Sequence, residues 1–102
     1  MTIERGSNEQ YFIRFNNEKG AENYFDYMND YIRDMNSYGY ITDREKDDAL
    51  VIITRLSMSL DEFYKATDGH ELRGTLEERD FMQFMAILNI AAVRSEMESK
   101  DL

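Results

Sequence analysis

The sequence predicts a mainly α-helical domain, a bundle of three helices with one short N-terminal β-strand, and a fourth helix if the second one divides. Three observations favour this class. Apolar residues recur at steps of three and four, capping patterns precede these stretches, and proline is absent from all 102 residues. A chain of this length is expected to form a single domain over residues 1–102.

The N-terminal segment is predicted to be a poorly ordered stretch followed by a strand. Residues 1–9 are polar, so we expect them to be poorly ordered. Residues 10–15 are rich in aromatic and β-branched side chains, which is typical of a short strand. Because a lone strand leaves its backbone groups unpaired, it needs a partner, either residues 38–42 or the same strand of a second copy.

Helix one is predicted over residues 18–37. Asn16 or Asn17 supplies the N-terminal cap, and Gly39 supplies the glycine that ends the helix. One buried stripe is expected from apolar residues at helical spacing, namely Ala21, Phe25, Met28, Ile32 and Met35.

Helix two is predicted over residues 42–66. Thr42 and Glu45 have the spacing of a capping box, in which each side chain bonds the backbone amide of the other residue. Its buried stripe is expected to be Ala49, Ile52, Ile53, Leu56, Leu60 and Phe63. Ser59 and Glu62 repeat the capping pattern, so a break near Ser57 into two shorter helices is an alternative.

Helix three is predicted over residues 76–98, because Thr75 and Glu78 form another capping pattern. Residues 81–93 are apolar nearly all round, and a helix of this kind must be covered on most sides. Two interpretations follow. Either the helix lies at the centre of a tight core, or it binds a second copy or another hydrophobic partner, with Phe84, Ile87, Ile90 and Val93 as the possible dimer face.

The charge balance favours a basic protein surface as the partner. Twenty-one acidic residues against twelve basic ones give a net charge of −9, which repels nucleic acid and anionic membranes. The plain alternative is that this charge keeps a small protein dispersed. Cysteine is absent, no apolar run is long enough to span a membrane, and residues 1–10 do not resemble a signal peptide. We therefore expect a cytoplasmic protein.

Groups that carry catalysis or bind metals are sparse in this sequence. The one histidine, His70, has neighbouring carboxylates but no second nitrogen ligand at metal-binding spacing. There is no nucleophile elbow and no glycine-rich phosphate loop. The sequence therefore predicts no catalytic residue, no metal and no cofactor, and it favours a binding protein over an enzyme.

The most distinctive pattern is an acidic row on helix one. Five acidic residues follow one another at intervals of four, namely Glu18, Glu22, Asp26, Asp30 and Asp34. Four helical residues rise about 6 Å, on the scale of phosphate spacing along one nucleic-acid strand. Because like charges at this spacing oppose helix formation, a function would explain them. Asp43 and Asp47 extend the row if the start of helix two lies beside it, and the alternative is a solvated face.

Tyrosines form a second row on helix one. They are Tyr24, Tyr27, Tyr31 and Tyr38, expected between the buried stripe and the acidic face. Tyrosine is common at protein interfaces and its ring face attracts arginine, so this row is a second candidate for partner binding. The alternative is that the rings cover the edge of the core with their hydroxyl groups in water.

Two functional hypotheses follow from these patterns. The first is an inhibitor that mimics nucleic acid and occupies a basic groove on a host nucleic-acid enzyme, as anti-CRISPR or anti-restriction proteins of phages and other mobile elements do. This hypothesis depends on the size and charge of the chain, its lack of catalytic groups and the acidic row. The second is a small homodimeric adaptor or regulatory subunit that assembles through helix three. The first depends on the acidic residues, and the second depends on the apolar ones.

Overall fold

The computed structural model describes residues 1–100, with side chains for residues 1–98. The elements in chain order are β1 (Thr2–Arg5), β2 (Gln10–Arg14), α1 (Glu18–Ser37), α2 (Asp43–Ala66), β3 (Arg73–Glu77) and α3 (Glu78–Lys100). Over this part of the chain the protein is mainly α-helical, with three helices. The three strands form one antiparallel sheet in the order β1-β2-β3, where a single strand was expected.

Strand β1 replaces part of the loose end that was expected over residues 1–9. It pairs with β2 from Thr2 opposite Arg14 to Arg5 opposite Tyr11. The four side chains of β1 are all exposed, so the strand is ordered by backbone pairing and leaves no apolar pattern in the sequence. The partners of β2 are therefore β1 and β3, and the expected pairing with residues 38–42 is wrong.

Strand β3 occupies the residues that were expected to begin helix three. Gly74 lies opposite Ile13, and Leu76 lies opposite Tyr11. Both Gly74 and Leu76 are buried while their neighbours are more exposed, which is the two-residue period of a strand. The capping pattern at Thr75 is therefore not used, because pairing with a distant strand outweighs a local helix signal. Helix α3 begins at Glu78 instead.

The ends of α1 and the start of α2 use the expected caps. The side chain of Asn17 accepts a hydrogen bond from the Gly20 amide, and Gly39 follows α1 with a φ of 81°. Thr42 and Glu45 each bond the backbone amide of the other residue. Helix α2 then continues without a break to Ala66, so the alternative of two shorter helices is wrong.

Helix α2 is the central element, because α1, β3 and α3 all pack against it. The buried core is formed by residues from all of these elements, from β2 and from the segments that follow β2 and α1, namely Ile13, Phe15, Ala21, Met28, Ile32, Ile41, Ala49, Ile52, Ile53, Leu56, Leu60, Leu76, Phe84, Ile87 and Ala91. Arg55 pairs with Asp80 at 2.9 Å, and Arg94 donates to the Tyr40 carbonyl at 2.7 Å. These two contacts show that α3 runs antiparallel to α2.

The outer edge of β3 is covered by α2. The Ser59 hydroxyl group accepts a hydrogen bond from the Thr75 amide at 2.8 Å and lies 3.2 Å from the Thr75 carbonyl oxygen. Gly74 allows this approach, since a Cβ atom there would lie 2.5 Å from Leu56 Cδ1. The free edge of the sheet is therefore β1, which lies farthest from α2 in the strand order.

Candidate protein-binding surface

The five acids of the row on α1 are all exposed, and none belongs to an ion pair among the described residues. They do not form a straight line. Each four-residue step advances about 40° beyond a full turn, so four steps add about 160°. Glu18 and Asp34 therefore lie on nearly opposite sides of α1, and a flat partner surface meets only part of the row.

The first three acids of the row border a groove between α1 and α2. Glu18, Glu22 and Asp26 from α1 face Asp61 from α2 across a space of about 420 Å³. The groove also has apolar and small polar lining residues, namely Ala21, Phe25, Ser57, Leu60 and Leu72. Its rim is therefore anionic while its floor is largely apolar, and neither Asp30 nor Asp34 lines it.

Tyr64 joins the two helices at one end of this groove. Its hydroxyl group donates a hydrogen bond to Glu18 Oε1, and this bond with the carboxylate raises the pKa of Tyr64 above its ordinary value. Tyr64 and Asp61 were not singled out from the sequence. Their three-residue spacing places them on one face of α2, but only the packing against α1 shows that this face borders acids.

Asp43 and Asp47 lie at the start of α2 and do not line the groove. Asp43 Oδ1 accepts a hydrogen bond from the Asn36 side-chain amide at 2.9 Å, which connects the end of α1 to α2. An oxygen of Asp47 lies 3.9 Å from the ammonium group of Lys46. Both acids are exposed, so they extend the anionic surface without joining the groove.

The tyrosine row lies away from the groove. Nine residues separate Glu18 from Tyr27, which is about half a turn, so the two side chains leave α1 on opposite sides. Tyr24 packs against Phe15 with ring centroids 5.4 Å apart, and burial raises its pKa. Tyr27 stacks on the half-buried Tyr31 and is itself 64% exposed. The other exposed member of the row is Tyr38, beyond the end of α1.

The four residues expected to form a dimer face do not share an exposed surface. Phe84 and Ile87 are buried in the core, Ile90 is half-buried, and Val93 is 46% exposed. Phe84, Ile87 and Ala91 follow steps of three and four, so they form the side of α3 that packs against the rest of the chain. The exposed large apolar residues of α3 are Met82, Met85, Val93 and Met97.

His70 is exposed in the turn that follows α2. Among the described residues, no group of three or more histidine and carboxylate side chains is placed to hold a metal ion. No helix in the described part of the chain is both long and apolar enough to cross a membrane. The groove between α1 and α2 is a place where acidic and apolar side chains meet.

Carboxylates around an apolar floor suit the side chains of lysine and arginine. The methylene stem of either side chain packs on apolar surface while its charged head reaches the rim. Arginine adds a planar fork that bonds a carboxylate through two parallel hydrogen bonds. Comparison of the chain with protein-family models, with curated proteins and with solved structures finds no match.

Proposed function

We propose that this protein is a non-catalytic binding protein that uses the groove between α1 and α2 to hold a basic surface of another protein. One observation carries the proposal. Glu18, Glu22, Asp26 and Asp61 surround an apolar floor, and none of them forms an ion pair among the described residues. The groove thus has unneutralised anionic groups and apolar area in one place, which is what a lysine or arginine side chain requires.

The charge of the chain supports the same kind of partner. A net charge of −9 attracts a basic surface at long range and speeds the encounter. Residues 17–48 contain nine acids and four bases, so this third of the chain contributes −5. The groove begins within this stretch, and steering therefore brings a basic partner toward α1.

The partner class that we propose is a nucleic-acid enzyme. Such enzymes have basic grooves for phosphates, and a spaced set of carboxylates on a helix is an anionic substitute for a phosphate backbone. The protein would then act as an inhibitor, of the kind that anti-CRISPR and anti-restriction proteins represent. The winding of the acidic row around α1 suits a groove that wraps the helix better than it suits a flat surface.

The test is capture of proteins by the tagged chain from a lysate of its native cell, with identification of each captured protein. We expect a nucleic-acid enzyme that is released when salt rises from about 0.05 M to about 0.5 M, where the Debye length falls to a few ångströms. Duplex DNA added at low salt should release the same protein, because DNA and this chain compete for the basic groove of the captured enzyme. Release by salt but not by DNA would contradict the mimic.

A matched pair of variants assigns the binding to the groove. Glu22→Lys with Asp26→Lys reverses two charges on the rim, and we expect it to lower capture at least tenfold. Glu9→Lys with Glu62→Lys makes the same change in net charge at exposed residues that do not line the groove, and we expect capture to change little. Equal loss in both variants would show that net charge alone attracts the partner.

A further inference from the structure

Helix α3 presents a second surface that the chain itself does not cover. On the side away from the core, Met82, Val93 and Met97 are 59%, 46% and 63% exposed, and Met85, 45% exposed, lies at the border of this side. Isolated apolar residues on a surface are ordinary, but a continuous apolar face marks an interaction site. The face runs from residue 82 to residue 97, a length of about 22 Å along the helix.

This face has few acids for so acidic a chain, since Glu96 is the one acid between residues 82 and 97. Residues 81–95 include no aspartate or glutamate, and their one charged residue is Arg94. Arg94 donates to the carbonyl oxygen of Tyr40 and so is already engaged within the chain. Two copies of a chain with a net charge of −9 repel each other over most of their surfaces. That repulsion is reduced where two α3 faces meet, because few acids lie there.

The sequence intervals between the residues on this face form a symmetric series, which is the same when counted from either end of α3. Between residues 82 and 97, six residues of α3 lie within about 100° of arc, namely Met82, Ala86, Asn89, Ile90, Val93 and Met97. The successive intervals are four, three, one, three and four residues. A twofold axis midway between Asn89 and Ile90 would therefore place Met82 opposite Met97 of a second copy, and Ala86 opposite Val93 of that copy.

We propose that this face binds a second copy of the chain, with the two α3 helices antiparallel about that axis. Ala86 of each copy then faces Val93 of the other copy. Met82 and Met97 cover the two ends of the contact with adaptable side chains. The two Asn89 side chains meet near the axis, where each amide both donates and accepts a hydrogen bond. An asparagine in such a contact fixes the register of paired helices.

The test measures association by sedimentation at 0.15 M salt over a range of protein concentration. One helix per copy makes a contact no larger than a standard interface of about 800 Å² per partner, so we expect a dissociation constant on the order of micromolar. A wild-type chain that is still monomeric at about 500 µM would overturn the proposal. This test does not involve the groove between α1 and α2, and its result is independent of the function proposed there.

Two complementary variants test the antiparallel register. Ala86→Glu and Val93→Arg each place a charge against an apolar residue of the second copy, so each variant alone should be monomeric. Mixed together, they should form a heterodimer, because the new glutamate then faces the new arginine once in each complex. A mixture that stays monomeric, or a single variant that still dimerises, would overturn the proposal.

Control variants separate this face from apolar exposure in general. Val51 and Met58 are 48% and 60% exposed on α2, outside the proposed face. Val51→Arg and Met58→Glu should associate as the wild type does. Circular dichroism should show unchanged helix content in all four variants, since each substituted side chain is exposed. Loss of association in the controls would overturn the assignment to α3.

Discussion

Gly74 shows how one residue sets the distance between β3 and α2. A Cβ atom at this position would lie 2.5 Å from Leu56 Cδ1, 3.2 Å from the Leu56 carbonyl oxygen and 3.3 Å from Ser59 Oγ. The leucine methyl group can turn aside, but the carbonyl oxygen belongs to the helix backbone. Forcing a methyl group into a packed contact typically costs about 1–3 kcal/mol.

We therefore expect Gly74→Ala to lower the free energy of unfolding by about 2 kcal/mol, measured by urea denaturation. Gly20→Ala is the matched control. Gly20 is exposed in the first turn of α1, and its new Cβ would meet only the Asn17 side chain at 3.3 Å. Alanine favours a helix by up to about 1 kcal/mol over glycine, so this variant should be as stable as the wild type or more stable. Equal losses at both positions would contradict the packing account.

The outer edge of β3 is joined to α2 through the hydroxyl group of Ser59. An exposed strand edge has unpaired amide and carbonyl groups. Here Ser59 on α2 accepts the hydrogen bond of the Thr75 amide, in a partly buried position. Ser59→Ala would leave that amide without its partner, and an unsatisfied buried donor costs about 1–3 kcal/mol.

The expected result is a lower free energy of unfolding for Ser59→Ala, with faster hydrogen exchange at the Thr75 amide. Thr54→Ala is the control, because the Thr54 hydroxyl group bonds only the Leu50 carbonyl of its own helix and is exposed. Surface changes of this kind usually stay within about 0.5 kcal/mol. Unchanged exchange at Thr75 in the Ser59 variant would contradict the role of the hydroxyl group.

An element can be predicted from the sequence when the interactions that stabilise it are local along the chain. Helices α1 and α2 were expected at nearly the bounds observed, because helical periodicity and the caps at Asn17 and Thr42 are local signals. The sequence did not predict strands β1 and β3, because they are stabilised by backbone pairing with β2 and not by a local pattern of their own. At Thr75 the local signal even indicated the wrong element.

The predictability of the candidate surfaces followed the same division. The acids of α1 were visible as a four-residue repeat, yet the groove needs Asp61 and Tyr64, which only the packing of α2 brings beside them. An apolar face on α3 was also expected. Two of the four residues expected there, Phe84 and Ile87, are buried in the core instead, since a helix apolar on all sides gives no periodic signal to separate Phe84 in the core from Met82 on the surface.

Repulsion among the acids of the chain opposes the folded state. The row on α1 contains four like-charged pairs at four-residue spacing, each costing a few tenths of a kcal/mol, or about 1 kcal/mol together. The net charge of −9 adds repulsion over longer distances, since folding brings the charges closer. Salt screens both effects, because the Debye length falls from about 30 Å at 0.01 M to about 8 Å at 0.15 M.

We therefore expect the free energy of unfolding to rise by about 1 kcal/mol between these two salt concentrations, measured with urea because it adds no ions. Asp30→Asn removes a charge that has a like neighbour four residues away on each side, so it should stabilise the chain at low salt and reduce the effect of salt. Asp43→Asn is the control with the opposite expected result. Asp43 lies in the first turn of α2, where a negative charge is favourable, so removing it should not stabilise the chain at low salt. Stability that falls with added salt would show that attractive pairs such as Arg55 with Asp80 outweigh the repulsion.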